Sequence, residues 1–204
     1  MGLENNSGKL TFVNIKEGKL YIKPKDSEVQ FFDALSGVIT KVEFANETYE
    51  GNVFERAKIT ILDGEDKYLL QIRTDSGYFR GFCNSLRMGN PTERFRCAPS
   101  YKKEEGKNPQ TTFFVQQNGQ TLKHYSTMEH PEDVPPVTKV KFKGKDVWDG
   151  TEQIDYWKNW LLSIKFEHEA IAGGNGIQAY KAGERKDNIP EANDITEPID
   201  DLPF

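Results

Sequence analysis

The stretch VFERAKITILDGEDKYLLQIRTDSGYFRGFCNSL, residues 53–86, decides the fold, because its hydrophobic period changes once along its length. Over 53–62 the side chains alternate: Val53, Ala57, Ile59 and Ile61 share one side, Phe54, Arg56 and Lys58 the other. A period of two marks a strand with one buried face. Asp63-Gly64-Glu65-Asp66 is turn-forming, and 67–73 reads as the returning strand. Tyr78, Phe79, Phe82 and Leu86 then fall at helical spacing, with Asp75 or Ser76 able to cap and Gly89-Asn90-Pro91 to stop the run.

Working outward, 36–45 alternates Val38, Thr40, Val42 and Phe44 against Ile39, Lys41 and Glu43. Upstream, 9–16 and 19–24 around Glu17-Gly18 predict an N-terminal hairpin. Downstream, strands are expected at 93–103 and 111–117, with Asn118-Gly119 turning the chain into a strand over 120–127. Three strands, a helix, then two or three strands predict a mainly β protein. The expected form is an OB-fold-like five-stranded barrel with one inserted helix, set against a generic α+β sandwich. Past the connection HPEDVPP, Val140 and Phe142 alternate with Lys139, Lys141, Lys143 and Lys145, which reads as a strand with a basic face or a lysine-protected edge. A long C-terminal helix is predicted over 151–172. Asp149 is its expected N-cap, with Glu152 three residues on, and Ile154, Trp157, Leu161, Ile164, His168 and Ile171 form its apolar stripe. Gly173-Gly174-Asn175-Gly176 ends it.

With 204 residues, 36% hydrophobic, 29% charged and a mean hydropathy of -0.72, the chain has room for one domain and a polar appendage. The expected division is a folded domain over 1–172 and a flexible linker with an acidic tail over 173–204. No apolar run approaches the roughly 18–20 residues that span a bilayer, so no membrane partner is expected. The opening MGLENNSGK lacks the apolar core of a secretory signal, and Asn6 fails a myristoylation site. Cys83 and Cys97 form no CxxC, and His124, His130 and His168 complete no zinc spacing, so a reducing cytoplasmic setting without metal or cofactor is expected.

No Gly-rich phosphate loop, GxSxG or HExxH occurs, so the chain is expected not to be an enzyme. Cys83 and Cys97 read as small buried hydrophobes, His168 as a packed histidine, and Asp63, Glu65 and Asp66 as turn residues. Binding chemistry is better represented. With Ala57, Ile59 and Ile61 inward, Phe54, Arg56 and Lys58 point out. With Phe95, Cys97, Phe113, Val115 and Leu122 inward, Arg94, Arg96, Phe114, Lys123 and Tyr125 point out. Lys41 and Arg73 fall on the polar sides of their strands. Cations for phosphates beside rings for bases are what sequence-tolerant single-strand binding needs. A solvated face with scattered aromatics is the plainer alternative. Trp148, Trp157 and Trp160 are further stacking candidates, Trp157 more naturally core and Trp160 open.

The charge is unevenly spread. Residues 187–204, DNIPEANDITEPIDDLPF, hold six acids and no base, leaving 26 acids against 27 bases in the rest of a chain whose net charge is -5. The ending Asp200-Asp201-Leu202-Pro203-Phe204 resembles the C-terminal tip of bacterial and phage single-stranded DNA-binding proteins. That resemblance covers about five residues and the composition of the tail. It implies an OB-fold body that binds and protects single-stranded DNA in replication, recombination or repair, as a monomer or a homodimer, and a tail that recruits replication or repair proteins. The physical sense is direct: a terminal Phe offers a ring to an apolar slot and a carboxylate to a base, while the acids meet a basic rim. Body motifs of the bacterial tetrameric form are absent, and the body is more similar to phage-encoded versions. Rival readings are an accessory domain of a nucleic-acid enzyme and an interaction protein whose tail only solubilises.

Overall fold

The computed structural model of the chain describes residues 10–25, 27–142 and 144–166. The chain opens with β1 (Leu10–Lys16), β2 (Lys19–Ile22) and β3 (Gln30–Phe32). A long meander follows, β4 (Leu35–Tyr49), β5 (Asn52–Asp63) and β6 (Asp66–Arg73), then α1 (Gly77–Leu86). After it come β7 (Phe95–Lys102), β8 (Gln110–Gln117), β9 (Gln120–Thr121), β10 (Thr138–Phe142), β11 (Lys145–Asp149) and α2 (Thr151–Ser163). The first nine strands form one curled sheet in the order β3-β2-β1-β6-β5-β4-β7-β8-β9, and β10 and β11 form a separate hairpin. The protein is thus mainly β, with two helices among the described residues.

The hairpins form where the sequence supplies turn residues. Glu17 and Gly18, Glu50 and Gly51, and Asn118 and Gly119 all take positive φ at the tips of β1–β2, β4–β5 and β8–β9. The Glu50-Gly51 tip lies beyond the stretches predicted as strands, so β4 and β5 are longer than expected. Val53 consequently stands on a projecting ribbon, 69% exposed, instead of facing the core with Ala57.

A second correction concerns β4. The expected grouping put Val38 with Val42 and Phe44, but Ile39 is buried and Val38 is turned away. The β4–β5 register shifts between Ile39 and Lys41, leaving Thr40 as the extra residue, its hydroxyl donating to the Thr60 carbonyl at 3.4 Å. A bulge flips the phase of every residue beyond it. Leu35, Gly37 and Ile39 therefore face inward before it, and Val42 and Phe44 after it.

The core lies on the concave side. Ala57, Ile59 and Ile61 of β5, Leu70 and Ile72 of β6, Phe95 and Cys97 of β7 and Phe113 and Val115 of β8 are buried with Phe79, Phe82, Cys83 and Leu86 of α1. Fully burying one such large apolar side chain is worth about 1.5–3 kcal/mol. Ser76 caps α1 by accepting the Phe79 N–H. Gly81 lets the helix lie directly on β8, since a Cβ there would sit 2.5 Å from Thr112 Oγ1 and 2.7 Å from the Phe113 nitrogen.

The sheet curls until the β1–β2 turn meets β7: a Cβ on Gly18 would lie 2.8 Å from the Tyr101 nitrogen. The Gly18 N–H donates to the Tyr78 hydroxyl at 2.9 Å. Among the described residues β6 pairs with β5 and, in parallel, with β1, so the N-terminal hairpin occupies the edge at which a five-stranded ring would close on itself.

Helix α2 ends earlier than predicted. Ile164 is extended, and the Ser163 hydroxyl donates to the Trp160 carbonyl, competing with the backbone ladder. His168 and Ile171 lie outside the described residues, as do the linker and the acidic tail. Gly150 is the N-cap in place of Asp149, whose carboxylate instead accepts from the Thr151 N–H at 2.9 Å. Trp157 and Leu161 anchor α2 in the core.

Candidate nucleic-acid interface

Strand alternation fixes what the convex side carries. With Ala57 and Ile72 paired and buried, Arg56 stands beside Arg73 and Lys58 beside Gln71 on the opposite face. Phe54 shares that face, and the guanidinium carbons of both Arg56 and Arg73 lie 5.2 Å from its ring centroid. Arg56 Nη1 also donates to Asn14 Oδ1 on β1 at 3.0 Å. Each cation has a carboxylate neighbour. Glu47 holds Arg56 Nε at 3.0 Å and Lys58 Nζ at 3.1 Å, Asp75 accepts from Arg73 Nε at 2.9 Å, and Glu43 pairs with Lys41 at 3.0 Å.

Beside this cluster β1 and β6 part. Their pairing runs from Leu10–Lys67 to Val13–Leu70 and goes no further, which opens a cleft of about 370 Å³. Ile15, Ile72 and Tyr78 contribute apolar walls, and Asn14, Tyr21, Arg56 and Arg73 contribute polar or aromatic ones. On β2 and β3, Tyr21 and Phe31 are register partners with ring centroids 6.1 Å apart, and Phe31 is 55% exposed. The residues expected from sequence to bind do not include Asn14, Tyr21 and Phe31 of this N-terminal segment. The alternation of 9–16 and 19–24 was visible, but not the parallel β1–β6 pairing that lays this hairpin alongside Arg73.

The remaining predicted residues spread further. Arg96 and Phe114 occupy the outer side of β7 and β8, where Arg96 Nη1 donates to Gln116 Oε1 at 3.4 Å and Phe114 pairs with Ala98. Arg94 precedes β7 and reaches back to Asp63 at 2.7 Å. Lys123 and Tyr125 are not on a strand, because β9 stops at Thr121; the Leu122 N–H still bonds the Val115 carbonyl, after which the chain leaves the sheet. Lys123 is exposed there.

Tyr125 belongs to a different assembly and is turned toward the body instead of away from it. The Arg87 guanidinium carbon lies 4.6 Å from the Tyr125 ring centroid, 5.7 Å from Tyr156 and 5.5 Å from Trp160. Asp133 accepts from the Tyr125 hydroxyl at 2.7 Å and the Tyr156 hydroxyl at 2.8 Å, with Arg87 at 3.7 Å. Those hydroxyls hold the Asp133 carboxyl below its ordinary pKa. Burial, then the bond to Asp133, pushes Tyr156 up to about 12. This cage pins α2 and the 122–137 connection to the C-terminal end of α1. It also settles Trp160, whose ring is 5.9 Å from Trp157.

Cys83 and Cys97 are buried free thiols, with burial raising Cys83 well above its ordinary pKa and Cys97 to about 12, so neither is a ready thiolate. Among the described residues no group of three His, Cys, Asp or Glu side chains could hold a metal ion, and no helix is long and apolar enough to cross a membrane. No protein-family model, curated protein or solved structure matches the chain.

Proposed function

We propose that the protein is a non-catalytic single-stranded DNA-binding protein of replication, recombination or repair, built on an OB-like barrel whose closing edge is supplied by β1. The observation that carries this reading is Phe54 set between Arg56 and Arg73 on an outer face that continues through Asn14 and Tyr21 to Phe31. Guanidinium groups beside a half-buried ring offer a phosphate and a base their separate partners a few ångströms apart, without reading base identity. Lys41, Lys58, Arg96 and Phe114 extend the same side of the sheet. Arg94 and Lys123 lie at its margins, and Tyr125 serves the fold. The acidic segment through Asp200, Asp201, Leu202, Pro203 and Phe204 recruits partner proteins on this reading, and the body acts as a monomer or homodimer.

The test is fluorescence anisotropy of labelled oligothymidine against a duplex of equal length. Preferential binding of the single strand, with log affinity falling by about 0.7 per neutralised phosphate as log salt rises, is the expected result. Equal affinity for the duplex, or no dependence on salt, sinks the reading. Removing Phe204 alone is expected to leave this affinity unchanged and to abolish capture of replication proteins.

A further inference from the structure

The β10–β11 hairpin stands apart from the sheet and is exposed on both faces: every residue of Thr138–Phe142 and of Lys145–Asp149 is accessible. Its root is nevertheless fixed. Val134 is buried, Gln153 Nε2 donates to the Pro135 carbonyl at 3.0 Å, and Asp149 is bonded to the first residue of α2. The hairpin is therefore an arm held at its base. A two-stranded ribbon in water is marginal without something to pack on, and this one carries Trp148 at 41% exposure.

The register sorts its chemistry. Lys139 pairs with Trp148, and Lys141 with Asp146, so these four side chains share one face. Lys139 Nζ lies 4.9 Å from the Trp148 ring centroid. This repeats, on a separate element, the cation-beside-ring arrangement of Phe54 with Arg56 and Arg73. Residues 138–149 hold four lysines against two aspartates, and one of those aspartates is already engaged by Thr151. The excess positive charge fits a polyanion.

Resting on the single-strand reading above, we propose that the β10–β11 arm is a second DNA contact: Trp148 stacks a base, Lys139 and Lys141 take phosphates, and the arm engages strand that has run past the Phe54 face. The occupant is the same single strand, so the arm lengthens the footprint and leaves the primary contact unaltered.

The experiment uses the full chain and oligothymidines at the two ends of the span such a fold covers, about 4 and about 16 nucleotides. Tryptophan emission is followed together with anisotropy. Trp157 is 1% exposed and Trp160 is half-buried against Trp157 and Arg87, so the part of the quenching that Trp148→Phe removes is assigned to Trp148. Expected on the long oligonucleotide are quenching in the wild type, loss of most of it in Trp148→Phe, and about ten-fold weaker binding in Trp148→Ala. Lys139→Gln/Lys141→Gln, which keeps the apolar contacts of the arm, is expected to lower the salt slope by up to about 1.4. On the short oligonucleotide these variants are expected to match the wild type, while Arg56→Ala/Arg73→Ala weakens both.

Wild-type affinity for the long oligonucleotide in all three arm variants overturns the arm and leaves the face standing. Loss in the arm variants alone, with Arg56→Ala/Arg73→Ala unaffected, supports the arm and removes the face. No binding by the wild type overturns both. A change in sedimentation coefficient in Trp148→Ala or Val140→Ser at unchanged affinity makes the arm a subunit contact, which also overturns the proposal.

Discussion

Replacing Phe54 with Ala separates stacking from charge at the proposed site. A base stacked on an accessible ring is worth about 1–3 kcal/mol. Here the ring already attracts two guanidinium groups, each 5.2 Å from its centroid. A base must displace part of that attraction, worth about 0.5–1 kcal/mol for an exposed cation–π contact. The net loss in Phe54→Ala is therefore about 1–2 kcal/mol, or about five- to thirty-fold in affinity. The cations should not move, because Arg56 is held by Asn14 and Glu47 and Arg73 by Asp75. The slope of log affinity against log salt should thus match the wild type, whereas Arg73→Ala should lower it by about 0.7. Anisotropy of labelled oligothymidine across a salt series reads both quantities, and a thermal melt checks the fold. Unchanged affinity with a lowered Tm refutes the reasoning, since the ring is then structural; so does a changed slope, since the ring is then only a scaffold for the arginines.

Glu47→Gln releases the carboxylate shared by Arg56 and Lys58, so single-strand affinity should rise about two- to ten-fold at low salt and the gain should vanish at high salt; a decrease would mean Glu47 positions the cations for binding. Asp133→Ala should lower Tm most between about pH 5 and 9. Asp133 has a depressed pKa, so its contribution is present above the ordinary carboxylate value and lost as pH falls through the lower folded one. Tyr156 has a raised pKa, so its contribution is whole below the ordinary value of 10.0 and lost as pH rises through about 12. A Tm difference independent of pH would count against the cage. Gly81→Val should destabilise by about 1–3 kcal/mol, read by urea unfolding, because its side chain meets the β8 backbone; a neutral result would show that α1 shifts freely on the sheet.

What could be read from sequence was whatever a local period encodes. Ala57-Ile59-Ile61 and Phe113-Val115 mark their strands and buried faces directly, and Tyr78 to Leu86 mark α1, while the cap, open between Asp75 and Ser76 in the sequence, is Ser76. The phase of β4 could not be read, because one extra residue at Thr40 reverses it and nothing in the apolar pattern marks the place. Tyr125 was assigned outward by extending alternation past Thr121, where the ladder ends. Its actual partners, Arg87 and Tyr156, are 38 and 31 positions away, and no local period links them. Arg56 and Lys58 were legible as outward cations, but Glu47, which pairs with both, emerged only from the β4–β5 register.

That pairing bears on how the face works. Isolated surface ion pairs contribute about 0–1 kcal/mol each, so the carboxylates beside Arg56, Lys58, Arg73 and Lys41 hold the cations in place at little energetic depth. A phosphate arriving at Arg56 competes with Glu47, and because that one carboxylate also engages Lys58, its displacement exposes two cations at once. The second phosphate contact then needs no further displacement there. Lys41, Arg56, Lys58 and Arg73 face Glu43, Glu47 and Asp75, so the cluster has a small positive excess, and a ligand with several closely spaced negative charges can compete for more than one cation at once. A single strand supplies those charges together with bases that can reach Phe54 and Tyr21; a duplex supplies the charges with its bases still stacked. On the proposed single-strand reading, selectivity would have to come from the rings, and affinity from cations that are already paired.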